Sequence, residues 1–181
     1  TGRFGKRLRH EGRPQAVLDR DAMGALVQGK RTMVTGAGGT IGGELARQIA
    51  ALGPAELTLV DASEFQLYTI DLEISELAPD LQRSAVLADV RDKTRVREIL
   101  GRAKPDLIFH AAALKHVPLV EANATDGVLT NLIGTRNVAE AAIEFNASAM
   151  VLISTDKAVN PTNVMGATKR AAEMFCQALD I

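Results

Sequence analysis

Thr35-Gly36-Ala37-Gly38-Gly39-Thr40-Ile41-Gly42-Gly43 lies between an apolar run, Met33-Val34, and the segment Glu44-Leu45-Ala46-Arg47-Gln48-Ile49-Ala50-Ala51-Leu52, whose apolar repeat falls on Leu45, Ile49 and Leu52. Strand, glycine turn, helix is the local reading. Glycines at 36, 39 and 42 let the backbone turn tightly, approach a pyrophosphate with no Cβ in the way, and seat the helix close to the strand; the helix N-terminus then faces the anion. The spacing is G-x-x-G-x-x-G. Ile41 stands where the simplest dinucleotide pattern, G-x-G-x-x-G, needs glycine, and the Gly-Lys-Ser/Thr ending of a P-loop is missing. A plain tight turn fits such a cluster equally well, so the residue that decides lies downstream. Asp61 closes a second strand pattern, Leu57-Thr58-Leu59-Val60, where a carboxylate would receive a ribose 2′-hydroxyl.

Beyond Asp61 the pattern alternates. Ser63 with Gln66 resembles a capping box opening a helix through Phe65, Leu67, Ile70, Leu72, Ile74 and Leu77, stopped at Pro79. A third strand is expected at Ser84-Ala85-Val86-Leu87-Ala88, and Asp89-Val90 at its end is a candidate for the adenine, with a helix-capping role for Asp89 as the alternative. Leu107-Ile108-Phe109-His110 makes a fourth strand and runs into Ala111-Ala112-Ala113, small enough for a cofactor to lie against the backbone. From Pro118 to Phe145 a long helical pattern with Val128, Leu132, Ala139 and Ala142 on one stripe is expected to break near Gly127 and Gly134, with Asn131 as its polar exception. A fifth strand, Ala149-Met150-Val151-Leu152-Ile153, leads to Ser154-Thr155-Asp156-Lys157, and Ala167 to Leu179 is helical. Continuous apolar strands alternating with helices predict an α/β fold, a Rossmann-like doubly wound parallel sheet covered on both sides, in strand order 3-2-1-4-5. Every motif then meets at one carboxyl edge.

With 181 residues, 46% hydrophobic and 24% charged, the chain has enough material for one core. A net charge of −1 makes no case for nucleic acid as a partner. Thr1 to Arg13 is locally basic, through Arg3, Lys6, Arg7, Arg9 and Arg13, and residues 1–30 read as an arm or linker plus a short helix. Asp19 or Asp21 is the candidate cap of that helix and Gly29 its stop; residues 31–181 form the expected nucleotide-binding domain. The single cysteine, Cys176, excludes an internal disulfide and reads as a packed thiol. His10, His110 and His116 are too scattered for a zinc site, so no metal is expected.

The glycine turn, Asp61, Asp89-Val90, Ala111 to Ala113, Asn131, Ser154-Thr155 and Lys169 together resemble an extended short-chain dehydrogenase/reductase acting on nucleotide sugars. Two longer runs, Ala111-Ala112-Ala113-Leu114-Lys115-His116-Val117-Pro118 and residues 154–170, resemble its polysaccharide-biosynthesis branch of UDP-N-acetylglucosamine 4,6-dehydratases. The resemblance implies a UDP-sugar substrate and a bound NAD, with NADP as the second possibility. Cofactor contacts would come from Gly36, Gly38, Gly39, Thr40, Ile41, Gly42, Asp61, Ser63, Asp89, Val90, Ala111, Ala112, Ala113, Lys115, Asn131 and Lys169. Lys115, His116 and Thr155 would face the sugar. Thr155 would touch the reacting hydroxyl, Asp156 would protonate the departing hydroxyl, Lys157 would take the C5 proton, and Lys169 would bind the nicotinamide ribose. Asp61 would repel a 2′-phosphate, which favours NAD.

The wider superfamily pairs Tyr-x-x-x-Lys; here Met165 holds the tyrosine position, and a thioether exchanges no proton. Long membrane-anchored members of the dehydratase branch are similar at this position. The chain stops after this helix, which implies a fragment holding the cofactor half, with the whole protein anchored at the cytoplasmic face of the inner membrane and forming a homo-oligomer. The small residues Ala139, Ala142, Ala171, Ala172 and Phe175 are the expected helix interface between copies. A nucleotide-sugar 4-epimerase, an inverting dehydratase and a catalytically silent dinucleotide sensor remain as alternatives.

Overall fold

A computed structural model of the chain describes residues 20–179. The basic arm and Asp19 lie outside the described residues. Helix α1 (Arg20–Val27) opens the described chain, with Asp21 inside it rather than at its cap, and Gly29 at φ 69° follows its end. Then come β1 (Arg31–Thr35), α2 (Thr40–Ala51), β2 (Glu56–Asp61), α3 (Glu64–Leu77), β3 (Arg83–Leu87), α4 (Lys93–Ala103) and β4 (Leu107–His110). Two short helices, α5 (Val117–Ala122) and α6 (Ala124–Gly127), lead through a π-helical stretch, Val128–Gly134, into α7 (Thr135–Glu144). The chain ends with β5 (Ala149–Leu152), a 3-10 turn at Asp156–Ala158, and α8 (Val164–Leu179).

All five strands are parallel, in the expected order β3-β2-β1-β4-β5. Val34 sits in register with Leu59 and with Phe109, so Thr35 and His110 finish level with each other and Asp61 finishes one residue beyond Thr35's partner, Val60. The order reverses between β1 and β4, and a crevice opens there at the carboxyl ends. Alternation along β1 sends neighbours to opposite faces. Val34 packs with Ile49 of α2, Ile70 and Ile74 of α3 and Val27 of α1, whereas Met33 packs with Val96 and Ile99 of α4 and Val138 of α7. Each such side chain contributes about 2 kcal/mol on burial, so two apolar layers hold the sheet edge in place.

Coverage on both sides holds for β1, β2 and β4 only. The outer strands have a neighbour on one side and incomplete helix cover, leaving Leu87 51% and Val151 41% exposed. The break in the long helix falls at Asn123 (φ −133°, ψ 56°), not at Gly127 or Gly134, both of which keep helical angles. Those glycines are required by packing: an added Cβ would stand 2.6 Å from Val120 Cγ1 and 2.6 Å from Val90 Cγ2 respectively. The π-helical turn between them holds an extra residue and resets the stripe, so Val128 is 38% exposed while Asn131, Thr135 and Val138 turn inward.

Helix α8 begins at Val164, earlier than the expected Ala167. Asn163 Oδ1 accepts from the Gly166 N–H at 2.8 Å, and Glu121 Oε1 accepts from the Val164 N–H at 2.6 Å, which satisfies two of the first-turn donors. Of the residues expected to pair copies, Ala139, Ala142 and Ala172 are at most 1% exposed and belong to the core. Among the described residues no helix is long and apolar enough to cross a membrane, and no group of ligating side chains is placed to hold a metal.

Candidate functional site

The glycine turn connects β1 to α2, and the protein's own packing demands three of its glycines. Gly36 has φ 67° and lies so close to the fourth strand that a Cβ would come within 2.5 Å of the Ala112 nitrogen. A Cβ on Gly42 would meet Gly36 O at 1.9 Å, and one on Gly38 would meet Gln66 Cβ at 2.4 Å. Gly39 differs: its angles, −71° and 165°, suit any residue, and a Cβ there would meet only Gly36 O, at 3.3 Å. Gly39 lines the groove, so the space it leaves serves what lies there. Helix α2 has no side-chain cap. The N–H groups of Thr40, Ile41 and Gly42 have no helical carbonyl behind them, which favours an anion at this end.

Asp61 is held by the turn it faces. Its Oδ2 accepts from the Gly38 N–H at 2.9 Å and its Oδ1 from the Ser63 N–H at 2.9 Å. Ser63 Oγ in turn accepts from the Gln66 N–H at 3.4 Å and caps α3. The capping box is therefore half made, because Asp61 takes the bond that the Gln66 side chain would have made. Each carboxylate oxygen keeps a further lone pair for a ligand. Asp61 and Ser63 line a cavity of about 640 Å³ with Asp89, Val90 and Ala111 to Ala113. Asp89 does not cap α4, since Asp92 does so by accepting from the Arg95 N–H at 3.0 Å. Instead Arg91 Nε donates to Asp89 Oδ2 at 2.8 Å, and that bond holds the Asp89 carboxyl below its ordinary range against the effect of burial.

A second bay of about 370 Å³ shares Gly36, Gly39, Ala111, Ala113, Leu114, Lys115 and His116 with the first, which makes the two one groove. Its far wall is Thr155, Lys157, Met165 and Lys169. Met165 and Lys169 are 3% and 5% exposed, one turn apart on α8. Lys169 Nζ donates to Ile153 O at 2.5 Å; burial lowers its pKa, opposed by Glu173 and Cys176. Thr155 Oγ1 donates to Asp156 Oδ1 at 3.0 Å, and Lys157 Nζ stands 3.6 Å from the same oxygen. The Thr155 hydroxyl first, and Lys157 second, hold the Asp156 carboxyl below its ordinary range. Lys115 and His116 are exposed on the rim.

Three expected site residues stand apart from the groove wall. Gly38 packs under it. The Asp156 side chain is 85% exposed and turned to solvent beside Lys157. Asn131, expected beside the cofactor, is 0% exposed and fully engaged by protein: Oδ1 accepts from the Leu114 N–H at 2.8 Å, and Nδ2 donates to Leu114 O at 2.9 Å and Thr168 Oγ1 at 3.0 Å. It positions the loop that carries Lys115 instead of touching the groove.

Sequence reading missed His110 as a structural centre. It is 0% exposed, with Nδ1 2.6 Å from Thr35 Oγ1 and Nε2 3.0 Å from Thr135 Oγ1. The Thr135 hydroxyl already donates to Asn131 O at 2.7 Å, so it accepts from Nε2–H, and Nδ1 accepts from Thr35. Burial, with the Lys169 charge second, pushes His110 down to about 3. A neutral imidazole thus ties the glycine turn to the π-helical stretch. A histidine ending an apolar strand, with threonines at 35 and 135, was the available signal. Arg91 and Asp126, which line the first bay, carried no motif at all.

Comparison with known proteins gives relatives for this geometry. Capsular polysaccharide biosynthesis protein CapD of Staphylococcus aureus is 45% identical over 170 residues, 93% of this chain. The chain spans 28% of that relative's length. A UDP-N-acetylglucosamine 4,6-dehydratase (inverting) of Campylobacter jejuni is 32% identical over 158 residues, covering 86% of this chain and 46% of that protein. The fold matches a UDP-glucose-4-epimerase of Stenotrophomonas maltophila, solved with bound NAD and formylated UDP-arabinopyranose, at a TM-score of 0.74 and 20% identity, over 83% of this chain and 48% of that one. The family model described as polysaccharide biosynthesis protein matches residues 32–181, all of the sheet but its first residue and both bays, and the chain belongs to that family.

Proposed function

We propose that this chain is the cofactor-binding and proton-transfer part of a nucleotide-sugar 4,6-dehydratase that takes UDP-N-acetylglucosamine to its 4-keto-6-deoxy product in polysaccharide biosynthesis. The observation that carries the reading is the single groove with Asp61 in one bay and Thr155, Lys157 and Lys169 in the other. The likeness to a 4,6-dehydratase supports the reaction class; that relative is an inverting one, and inversion at C5, which needs the proton returned from the opposite face, is the second reading. The groove suits a dinucleotide: a Cβ-free approach at Gly39, open amides at the start of α2, a carboxylate for the ribose and an ammonium at the nicotinamide end. The adenine bay holds three carboxylates, Asp61, Asp89 and Asp126, against two cations, Arg91 and Lys115, and the one that would face the ribose is Asp61, which favours NAD over NADP.

Bound NAD would accept hydride from sugar C4 and return it to C6, so the reaction is redox-neutral. The chain supplies the protons. Met165 exchanges none, so the C4 hydroxyl proton passes through Thr155 Oγ1 to the ionised Asp156 to which Thr155 is bonded. Asp156 then protonates the departing C6 hydroxyl, and water leaves. Lys157 takes the C5 proton as the new ketone acidifies it, and returns it to C5 when hydride reaches C6. One proton goes out and back at each group, and both end as they began. A substrate lying across Asp156 and Lys157 supplies the desolvation that a neutral amine at Lys157 requires.

In the whole protein, Lys157→Ala is expected still to show new nicotinamide absorbance when the sugar nucleotide is added, yet to exchange C5 hydrogen with heavy water about 10²- to 10⁴-fold more slowly. Exchange at the wild-type rate would remove Lys157 from the role of base. We also place the chemistry at the cytoplasmic face of the inner membrane in a longer, anchored, self-associating protein. With Ala139, Ala142 and Ala172 in the core, contact between copies would draw on half-buried Ala171 and Phe175 together with Leu119 of α5 and Met174 of α8, 64% and 56% exposed.

A further inference from the structure

The helices α5 and α6 form one wall of the adenine bay, and they are tied at both ends. At the end near α8, Glu121 accepts from the Val164 N–H at 2.6 Å. At the other, Asp126 Oδ1 lies 3.2 Å from Arg91 Nη1, across the bay. Arg91 is itself fixed from behind. Asn137 Nδ2 donates to Val90 O at 3.0 Å and to Arg91 O at 3.2 Å, anchoring that loop's backbone on α7. Asp89 holds the guanidinium through Nε at 2.8 Å. One side of the bay's mouth is therefore a rigid loop presenting an oriented cation. The other is a four-residue helix presenting Asp126, hinged at Asn123, where the helical angles fail.

We propose that Arg91 and Asp126 are positioning residues forming a clasp over the adenine end of the bound dinucleotide, and that opening this ion pair limits dinucleotide release. The inference rests on the cofactor reading above. Redox-neutral chemistry regenerates the cofactor at each turnover, so slow release costs the cycle nothing. The pair is about half exposed, with side chains 43% and 53% accessible, so it is a modest, salt-screened tie.

The test uses NADH on the whole protein, with release followed by nicotinamide fluorescence after excess NAD is added. Asp126→Asn leaves the Arg91–Asp89 pair intact and is expected to speed release about two- to fivefold, the range of an exposed pair, with the thermal midpoint unchanged. Asp126→Glu is expected to restore slow release. Raising the salt is expected to speed release from the wild type and not from Asp126→Asn. Arg91→Gln combined with Asp126→Asn should be no faster than Arg91→Gln alone. Wild-type release from Asp126→Asn, equal effects of Asn and Glu, or additive effects in the double variant would each overturn the clasp. A wild-type whole protein that binds no NADH at all would instead overturn the cofactor reading, and the clasp with it.

Discussion

In the bay lined by Asp61 and Arg91 the polar groups are held by backbone: Asp61 by two N–H donors, Arg91 through carbonyls fixed by Asn137, the glycine turn by its contacts with Ala112 and Gln66. In the second bay Lys169 is buried and bonded to Ile153 O, but the Thr155, Asp156 and Lys157 side chains bond mainly to one another, although the backbone of their 3-10 turn packs on α8, where a Cβ on Gly166 would meet Lys157 O at 2.2 Å. The first region has its polar side chains fixed by folding, and the second leaves Asp156 and Lys157 exposed to solvent. Preorganisation is inexpensive where strand ends and a helix N-terminus already converge, and it needs a second surface where they do not.

The contrast breaks most visibly at Gly36. Gly36→Ala combines a φ of 67° with a Cβ 2.5 Å from the Ala112 nitrogen, so it is expected to destabilise the chain by about 3 kcal/mol or more, read by urea unfolding. A cost under about 1 kcal/mol would mean that the turn relaxes and is not over-determined.

His110 tests the link between the two regions. Its pKa falls from 6.5 in the unfolded chain to about 3 in the folded one, so the unfolded state binds the extra proton in that window. Stability is full above pH 6.5 and declines as pH falls toward 3, by about 1.4 kcal/mol per pH unit from this group. Replacing it, His110→Gln, should flatten the slope between pH 6 and 4 relative to wild type. Parallel slopes would place the histidine outside the network drawn here.

Asp61→Asn sharpens the ligand side of the comparison. One amide group must face an N–H donor, and the charge that repels a 2′-phosphate is lost, so the ratio of NAD to NADP affinity should fall by about tenfold, measured by calorimetric titration of both cofactors. An unchanged ratio would leave Asp61 as a brace for the turn only. The smallest effect belongs to the catalytic turn. Asp156→Ala and Lys157→Ala should each change unfolding free energy by less than about 0.5 kcal/mol, because exposed side chains with an exposed partner contribute little. A loss above about 1 kcal/mol at either would show that this turn is built into the fold like the adenine bay.

The parallel sheet, its order and the edge where the motifs meet were legible because apolar period, glycine placement and crossover handedness are local or topological properties. Asp61 was legible for the same reason, as a residue ending a strand next to a glycine turn. The stripe through Val128 was misread because a π-helical turn leaves no mark on a 3.6-residue pattern, and Asn131 was misplaced because its partners, Leu114 and Thr168, lie far off in the chain. Ala139, Ala142 and Ala172, expected at a helix interface between copies, lie in the core, since a small apolar residue looks the same whether it covers a sheet or meets a second copy.

By itself, then, the sequence determined which segments are strands and which are helical, the strand order and which residues end at the carboxyl edge. Tertiary structure alone decided what each of them does there. It made Gly39 the open glycine of the turn, Gly42 a packing necessity, Asn131 an internal tie, His110 a buried neutral link, and Arg91 and Asp126 a pair 35 residues apart. Those assignments depend on distances between segments remote in the chain, and local pattern carries no information about such distances until the sheet has brought the segments together.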